Sequence, residues 1–416
     1  MSDVRERLER ASQGLTEVDL TDRVWADAYR VSRRRRRRTM ALCVLAAVAL
    51  VAAAIAFGPR LTTRTGRIGD DLLPSPVQPT EGTTLPPDGT LAGLPYWIAP
   101  PPGTEASLER LDTRLGERLE VPSSELPDLR ARPVSRVGAV LLRQVSAGHY
   151  QPVVLSARGR WATAEVDLVP VRDAAGNESE PLTTTAVSPA GTLVAFPQPD
   201  AVVVLDTTTG TPERIALPHM LVRNVAWMPS GDTLLASGES GTVLVVPGIT
   251  NGQQVFATDA NPDPFAATPP MALDTVGGRE ALVRFDPDGH RHAQLPADLP
   301  VRRWSGATFT VTTLAARAFV PPALPELQQL GSGVVVVAVV DARSATAGAL
   351  LAMPGGDTGT RPEGCCDLLG WYDDHTVLLE SRSVAGDWIL AWDIWSGHVL
   401  QVAGYGGGAV ALGQLS

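Results

Sequence analysis

The chain has 416 residues, a formal net charge of −10, a hydrophobic content of 44%, 39 glycines and 35 prolines, a composition typical of a folded, turn-rich protein rather than a disordered one. None of its 35 basic residues is a lysine, which excludes Schiff-base chemistry, a lysine-containing phosphate loop and a Ser-Lys dyad. Three cysteines are too few for a disulfide framework, and no Cys-x-x-Cys pair is present to begin a structural zinc site.

The first 39 residues are basic, with eleven arginines against seven acidic residues. Apolar residues recur at intervals of three, four and seven over residues 1–31, which predicts two short amphipathic helices. Such a segment is too short to form its own core. Two interpretations stay open for it: a solvated tail, or a docking segment for a cytoplasmic partner.

An uncharged apolar run starts at Met40 and ends at Phe57. As a helix, these residues would span roughly 27 Å, enough for the core of a bilayer. Six arginines precede the run directly and three follow it, so the positive-inside rule predicts a cytoplasmic N-terminus and an extracytoplasmic remainder. The topology determinants are Arg33, Arg34, Arg35, Arg36, Arg37 and Arg38. A cleavable signal peptide is the alternative, although its apolar core would be shorter.

The arginine block also resembles a phosphate-binding footprint, as found in nucleic-acid-binding proteins. Next to a membrane span, however, it is explained as an anchor attracted to lipid headgroups. The rest of the chain is acidic, so we expect contact with membrane lipids and no nucleic-acid partner.

The chain divides into four predicted regions: a cytoplasmic segment at 1–39, a transmembrane helix at 40–57, a linker at 58–103 and a β-domain at 104–416. Ten prolines lie in the linker, which predicts an extended stalk. One short helix is predicted from Glu105 to Glu120.

An internal repeat with a period of forty residues indicates the fold. The segment from Ala186 to Ala195 matches the segment from Ala226 to Leu235, and each is followed by a second strand and a polar turn. Their Ser-Pro-Ala-Gly and Met-Pro-Ser-Gly sequences favour tight hairpin turns, because proline presets φ and glycine accepts a positive φ. A period of forty residues with several strands predicts a β-propeller blade.

Weaker copies extend this pattern. They include a strand pair and Asp turn from Gly370 to Gly397, a strand from Val334 to Asp341, a segment around Phe285 to Gly289, and an earlier unit from Val137 to Asp167. Together they predict an all-β fold, a six- or seven-bladed β-propeller.

These repeat strings resemble those of WD-repeat-like and TolB-like propellers. The wider layout, with its arginine block, span, stalk and degenerate propeller, resembles that of actinobacterial single-pass membrane proteins. The tail from Asp19 to Arg30 is similar to tails that accompany extracytoplasmic-function sigma factors. The resemblance implies a binding or scaffold propeller, with regulation of a sigma factor through the tail as the alternative.

Candidate catalytic and metal-binding residues are sparse. His290 and His292 could share one side of a strand, but two ligands without a third do not make a metal site. Asp373 and Asp374 could serve as acid and base, yet their position favours a hairpin turn. We therefore expect no enzyme activity, no catalytic residue, no cofactor and no metal.

The adjacent cysteines Cys365 and Cys366 are the one unusual chemical feature. Outside the membrane, thiols tend to oxidise, so we expect a vicinal disulfide here. Free buried thiols and cross-linking are the alternatives.

Aromatic residues concentrate near the C-terminus. Trp388, Trp392 and Ile394 share one strand parity, which favours packing in a core over an exposed recognition patch. The sequence as a whole predicts a membrane-anchored extracytoplasmic propeller that presents a concave, acidic surface to a protein, peptide or glycan.

Overall fold

The computed structural model describes residues 84–416, all within one compact unit, Gln78–Ser416. The gaps in this description are 174, 229–230, 239–240, 249–252, 257–263, 266–270, 277–278, 286–290, 295–298, 301–302, 310–312, 321–323, 332–333, 342–346, 355–366, 384–385, 414 and 416.

Strands dominate the described chain, and its two helices are short 3-10 turns at Glu105–Ser107 and Pro325–Leu330. The strands are β1 Gly89–Leu91, β2 Leu94–Ile98, β3 Arg118–Leu119, β4 Val137–Ser146, β5 His149–Ser156, β6 Trp161–Thr163, β7 Val171–Arg172, β8 Glu178–Ser179, β9 Leu193–Asp206, β10 Thr211–Trp227, β11 Leu234–Gly238, β12 Gly241–Val245, β13 Gln253–Phe256, β14 Pro264–Phe265, β15 Met271–Val276, β16 Arg279–Phe285, β17 Arg291–Gln294, β18 Arg303–Phe309, β19 Thr313–Phe319, β20 Val335–Asp341, β21 Ala347–Met353, β22 Leu368–Trp371, β23 Thr376–Ser383, β24 Gly386–Asp393, β25 Val399–Tyr405 and β26 Val410–Leu412.

The described strands form five sheets of four to six strands and one two-stranded ribbon, β7-β8. Sheet I is β26-β4-β5-β6, sheet II is β13-β12-β11-β10-β9, sheet III is β14-β15-β16-β17, sheet IV is β1-β2-β21-β20-β19-β18, and sheet V is β22-β23-β24-β25-β3. Paired strands that follow one another in the chain are antiparallel, as expected of hairpin-connected β-structure.

Four of the sheets pack face to face in succession, because alternate residues of one strand enter different cores. In sheet V, Leu390 packs in a core shared with Val337 of sheet IV. Its neighbour Ile389 packs in a core shared with Ala139 of sheet I. In turn, Val140 of sheet I shares a third core with sheet II.

This two-sided burial explains the composition of the strands. Six successive residues from Val334 to Val339 are buried, so the strand is an unbroken apolar run rather than an alternating one. Stacked sheets with apolar faces on both sides give the all-β, propeller-like fold predicted from the repeat. The number of blades stays a prediction.

Three sheets are completed by segments from opposite ends of the described chain. β2 pairs in parallel with β21, aligning Tyr96 with Leu350. β3 pairs in parallel with β25, and β26 pairs antiparallel with β4, aligning Val410 with Leu141. These pairings hold the beginning and the end of the domain together.

The repeat turns have the predicted geometry. Gly191 donates its N–H to the Ser188 carbonyl at 2.7 Å with a φ of 68°, and Gly231 donates to the Met228 carbonyl at 2.8 Å with a φ of 74°. Both turns therefore use the positive φ that only glycine adopts readily.

The Asp turns of the second strand pair repeat equally closely. Gly210 donates to the Asp206 carbonyl at 2.8 Å, and Gly397 donates to the Asp393 carbonyl at 2.9 Å. In each turn the aspartate carboxylate accepts a bond from the backbone N–H two residues on. The matched segments are thus confirmed as structural repeats.

Two expectations for residues 84–120 differ from the structure. The predicted division at residue 104 falls after β1 and β2, which already belong to sheet IV. The predicted helix from Glu105 to Glu120 is wrong: the chain makes only a 3-10 turn at Glu105–Ser107 and later joins sheet V as β3. Edge pairing with β25 offers this segment backbone partners that a helix would forgo.

Candidate functional site

A cavity of about 540 Å³ lies where sheets I, II, IV and V and the ribbon approach one another. Its described lining is small, aliphatic or polar, except for six charged side chains. These are Glu180, Arg223, Arg317, Asp367, Glu380 and Arg382. With three arginines and three carboxylates, the cavity is balanced in charge, unlike the acidic concave surface expected from the sequence.

Two ion pairs follow one another along the wall formed by sheets IV and V. Arg317 of β19 places a guanidinium nitrogen 3.0 Å from Asp367 Oδ1. Arg382 Nε lies 2.8 Å from Glu380 Oε2 on β23. The two pairs are joined by the backbone, since Glu380 donates its N–H to the Asp367 carbonyl at 2.8 Å. The result is a chain of four charges at the cavity wall.

Burial changes the electrostatics of these four charged side chains. The Glu380 residue is only 2% exposed and Arg317 only 7%. Burial raises the pKa of the Glu380 carboxyl above its usual range, while the neighbouring Arg382 acts in the opposite direction. The carboxylate is therefore easier to protonate than an exposed glutamate.

Strand alternation separates the cavity from a second polar contact. Glu380 and Arg382 line the cavity, whereas Ser381 between them donates its hydroxyl to Glu105 Oε1 at 2.7 Å. Glu105 and Ser381 are fully buried, and Gly103 donates its N–H to the other carboxylate oxygen at 2.6 Å. This contact fixes the start of the domain to the back of β23.

The opposite wall comes from sheet II and the segment before it. Thr183 and Thr185 both donate their hydroxyls to the Val225 carbonyl, at 2.9 and 2.6 Å. These bonds join the segment that precedes β9 to β10. They hold the β10 residues Arg223 and Asn224 in the cavity lining.

The lining offers groups that bind a polar ligand: guanidinium donors, carboxylate acceptors, hydroxyls and one side-chain amide. Its volume lies within the usual range of small-ligand sites. Among the described residues, no group of three or more His, Cys, Asp or Glu side chains could hold a metal ion.

Several predicted site residues lie outside the described residues. These are Cys365, Cys366, His290, the six arginines from Arg33 to Arg38, and the apolar run from Met40 to Phe57. His292 lies on β17, in sheet III. In the part of the chain that is described, no helix has the length and apolar character needed to cross a membrane.

The turn and core predictions near the C-terminus are confirmed. Asp373 accepts the His375 N–H at 3.0 Å in the turn between β22 and β23. Trp392 is fully buried, and Trp388 and Ile394 pack against the same core. Trp395, by contrast, is 69% exposed and stacks on His375, with ring centroids 4.2 Å apart.

Sequence reasoning missed the charged wall of the cavity. Arg317 is the single charge of the apolar strand TLAARAF, and Glu380 and Arg382 are the two charges of the strand TVLLESRS. A charge in a strand that is otherwise apolar on both faces needs a buried partner or a polar cavity. That signal was present, but the identity of the partners depends on how the sheets pack.

Comparisons with known proteins assign no family. No family model matches the chain, and no curated protein matches it. Among solved structures, TolB from Acinetobacter baumannii aligns with a TM-score of 0.47 and 13% identity, covering 69% of this chain and 67% of that one. The values for a protein assigned as TolB from Agrobacterium tumefaciens are 0.36 and 16%, covering 48% and 68%.

A third similar structure is the hydrazine synthase of Kuenenia stuttgartiensis, with a TM-score of 0.42 and 13% identity over 66% of this chain and 80% of that one. Similarities of this size establish no shared function. The fold assignment above rests on the sheets and their packing.

Proposed function

We propose that this chain is a membrane-anchored, extracytoplasmic β-propeller that binds a protein, peptide or glycan of the cell envelope without chemical turnover. The observation that carries the proposal is the cavity, where charged side chains from separate sheets meet. The membrane anchor is supported by the apolar run from Met40 to Phe57 and the arginines before it.

The energetics of the charged wall favour a binding role over a stabilising one. Burying an ion pair commonly contributes little to stability, because desolvation offsets the attraction between the charges. Well-packed apolar residues would serve the fold equally well at these positions. Arg317 and Glu380 nevertheless lie nearly buried beside an open volume, where polar groups can act on a ligand.

Site-specific photo-crosslinking on the intact chain in its membrane tests this function. Thr184 lines the cavity and is replaced by a photo-crosslinking amino acid. Val145, 55% exposed and outside the cavity lining, carries the same group in the control. We expect a discrete adduct with an envelope component from position 184 only. Identical adducts from both positions, or none from position 184, would contradict the proposal.

The alternative function is transmembrane signalling, in which the cytoplasmic segment regulates a sigma factor or another cytoplasmic partner. The amphipathic spacing over residues 1–31 is the observation that favours it. A peptide spanning 1–39 retains a transcription factor from cytosol if this is correct. A peptide in which Leu8, Leu15 and Val24 are replaced by serine is the matched control, and equal retention by both peptides contradicts signalling.

A further inference from the structure

A β-bulge in sheet II places Arg223 at the cavity. In the pairing of β10 with β11, Val222 is opposite Gly238 and Asn224 is opposite Ser237, so Arg223 has no partner in the register. Bulges re-aim a side chain and are frequent beside functional sites. Arg223 lines the cavity, and among the described residues it forms no ion pair. Hydrogen bonds from Asn177 are the main cause of the lowered pKa of Asp173, and the charge of Arg223 adds a smaller effect.

The second feature of this wall is the hydroxyl of Ser237. Ser237 also lines the cavity and is only 1% exposed. Within the described part of the chain, its Oγ has no hydrogen-bond partner. A buried hydroxyl without a partner is unfavourable and uncommon in folded proteins. Its position in a cavity lining indicates that a ligand supplies the missing bond.

A carboxylate of the same lining also lacks a cationic partner among the described residues. Glu180 Oε2 accepts the Ala409 N–H at 2.6 Å, and no ion pair is found for it there. The other four charges form two pairs, Arg317 with Asp367 and Arg382 with Glu380. Once these pairs are set aside, one guanidinium and one carboxylate remain to act on a ligand.

We propose that the cavity binds a short zwitterionic peptide, whose terminal carboxylate is held by Arg223 and Ser237 and whose ammonium group is held by Glu180. This rests on the cavity being the binding site proposed above. Guanidinium groups bind carboxylates with strong, charge-assisted hydrogen bonds. The described lining has no aromatic side chain, the surface on which sugar rings commonly stack, so a peptide fits it better than a glycan.

The test uses the purified full-length chain and a random tripeptide mixture in three forms: unmodified, C-terminally amidated and N-terminally acetylated. Equilibrium dialysis followed by mass spectrometry measures the peptides retained by the protein. We expect unmodified peptides to be retained, and each blocked form to be retained at least about ten-fold less, because one charge-assisted contact is lost. No retention of unmodified peptides, or equal retention of all three forms, overturns the proposal.

Substitutions test the residues proposed to hold the carboxylate end of the peptide. Arg223→Gln removes the charge and is expected to reduce retention by about ten-fold, while Ser237→Ala reduces it by roughly three- to ten-fold. Arg214→Gln is the matched control, because Arg214 is an exposed arginine on the same strand. Since the Ser237 hydroxyl has no partner among the described residues, Ser237→Ala keeps the wild-type unfolding midpoint. Retention equal to that of the wild type in Arg223→Gln contradicts the assignment.

The outcomes separate this inference from the broader function. If the tripeptides are not retained but photo-crosslinking from position 184 still captures an envelope component, the peptide proposal is wrong and the binding function stands. If neither experiment gives a signal, both fail.

Discussion

The Asp turn that ends in Gly397 predicts a large and specific loss of stability for Gly397→Ala. Gly397 has a φ of 77°, a conformation that costs an alanine about 1–2 kcal/mol. A Cβ there would lie 2.1 Å from Trp97 Nε1, which is far inside contact distance. Displacing a packed side chain adds about 1–3 kcal/mol, so we expect a total of about 2–5 kcal/mol.

The clash also disturbs the contact between the start and the end of the domain. Trp97 donates its Nε1–H to the Leu85 carbonyl at 3.1 Å, and Leu85 donates its N–H to the Ser396 carbonyl at 2.8 Å. Moving the Trp97 ring therefore weakens the attachment of residues 85–98 to sheet V. We expect this segment to become more accessible to limited proteolysis in the variant.

Gly148→Ala is the matched control. Gly148 has a φ of 72°, but nothing lies within 4 Å of the Cβ position, so only the conformational cost applies. Urea unfolding of the full chain, followed by tryptophan fluorescence, compares the two variants. Equal destabilisation by Gly397→Ala and Gly148→Ala would show that the contact with Trp97 contributes nothing.

Three further predictions address the cavity wall and the cores. Burial raises the pKa of Glu380, so the folded state binds this proton more tightly than the unfolded state, and the wild type loses stability as pH rises above about 4.5. We expect the unfolding midpoint of Glu380→Gln, measured against pH, to lack this decline; midpoints of wild type and variant that change in parallel with pH would contradict the prediction. Ser381→Ala removes a donor from the fully buried Glu105 and is expected to destabilise the fold by about 1–3 kcal/mol; an unchanged urea midpoint would refute this. Trp392→Ala, in a fully buried site, is expected to cost about 3–5 kcal/mol, whereas Trp395→Ala at a site 69% exposed costs less than about 1 kcal/mol; similar unfolding curves would contradict the core assignment.

Local features of the fold were accessible from the sequence because they depend on residues close together in the chain. The turns at Gly191 and Gly210 close through bonds to residues three and four positions earlier. Their proline, aspartate and glycine residues encode the required backbone angles directly. The forty-residue period follows because each such unit packs on the next.

Pairings between distant segments were not accessible. Nothing in residues 89–98 indicates that they join β21, about 250 residues later in the chain, because edge pairing uses backbone groups that every residue carries. The proline content around these strands indicated an extended linker instead. The prediction of extended chain was correct for β1 and β2, but their incorporation in sheet IV depends on pairing with the distant strand β21.

The candidate site depends on the same long-range arrangement. Arg317 and Asp367 form one ion pair although they are fifty residues apart, and the bulge that presents Arg223 is visible only in the register of β10 and β11. The single charge of the apolar strand TLAARAF could have marked Arg317 as unusual. The grouping of these residues around one cavity requires the packing of four sheets.

Proximity labelling with the intact protein tests whether the cavity is the ligand-binding surface. A labelling enzyme fused to the C-terminus is compared in the wild type and in Thr184→Trp, which adds a large side chain to the cavity lining at a partly exposed position, with Val145→Trp as the surface control. We expect an envelope component to be enriched by the wild type and by the control and to be lost from Thr184→Trp, with the wild-type unfolding midpoint kept in both variants. Equal enrichment by all three folded proteins would contradict this expectation.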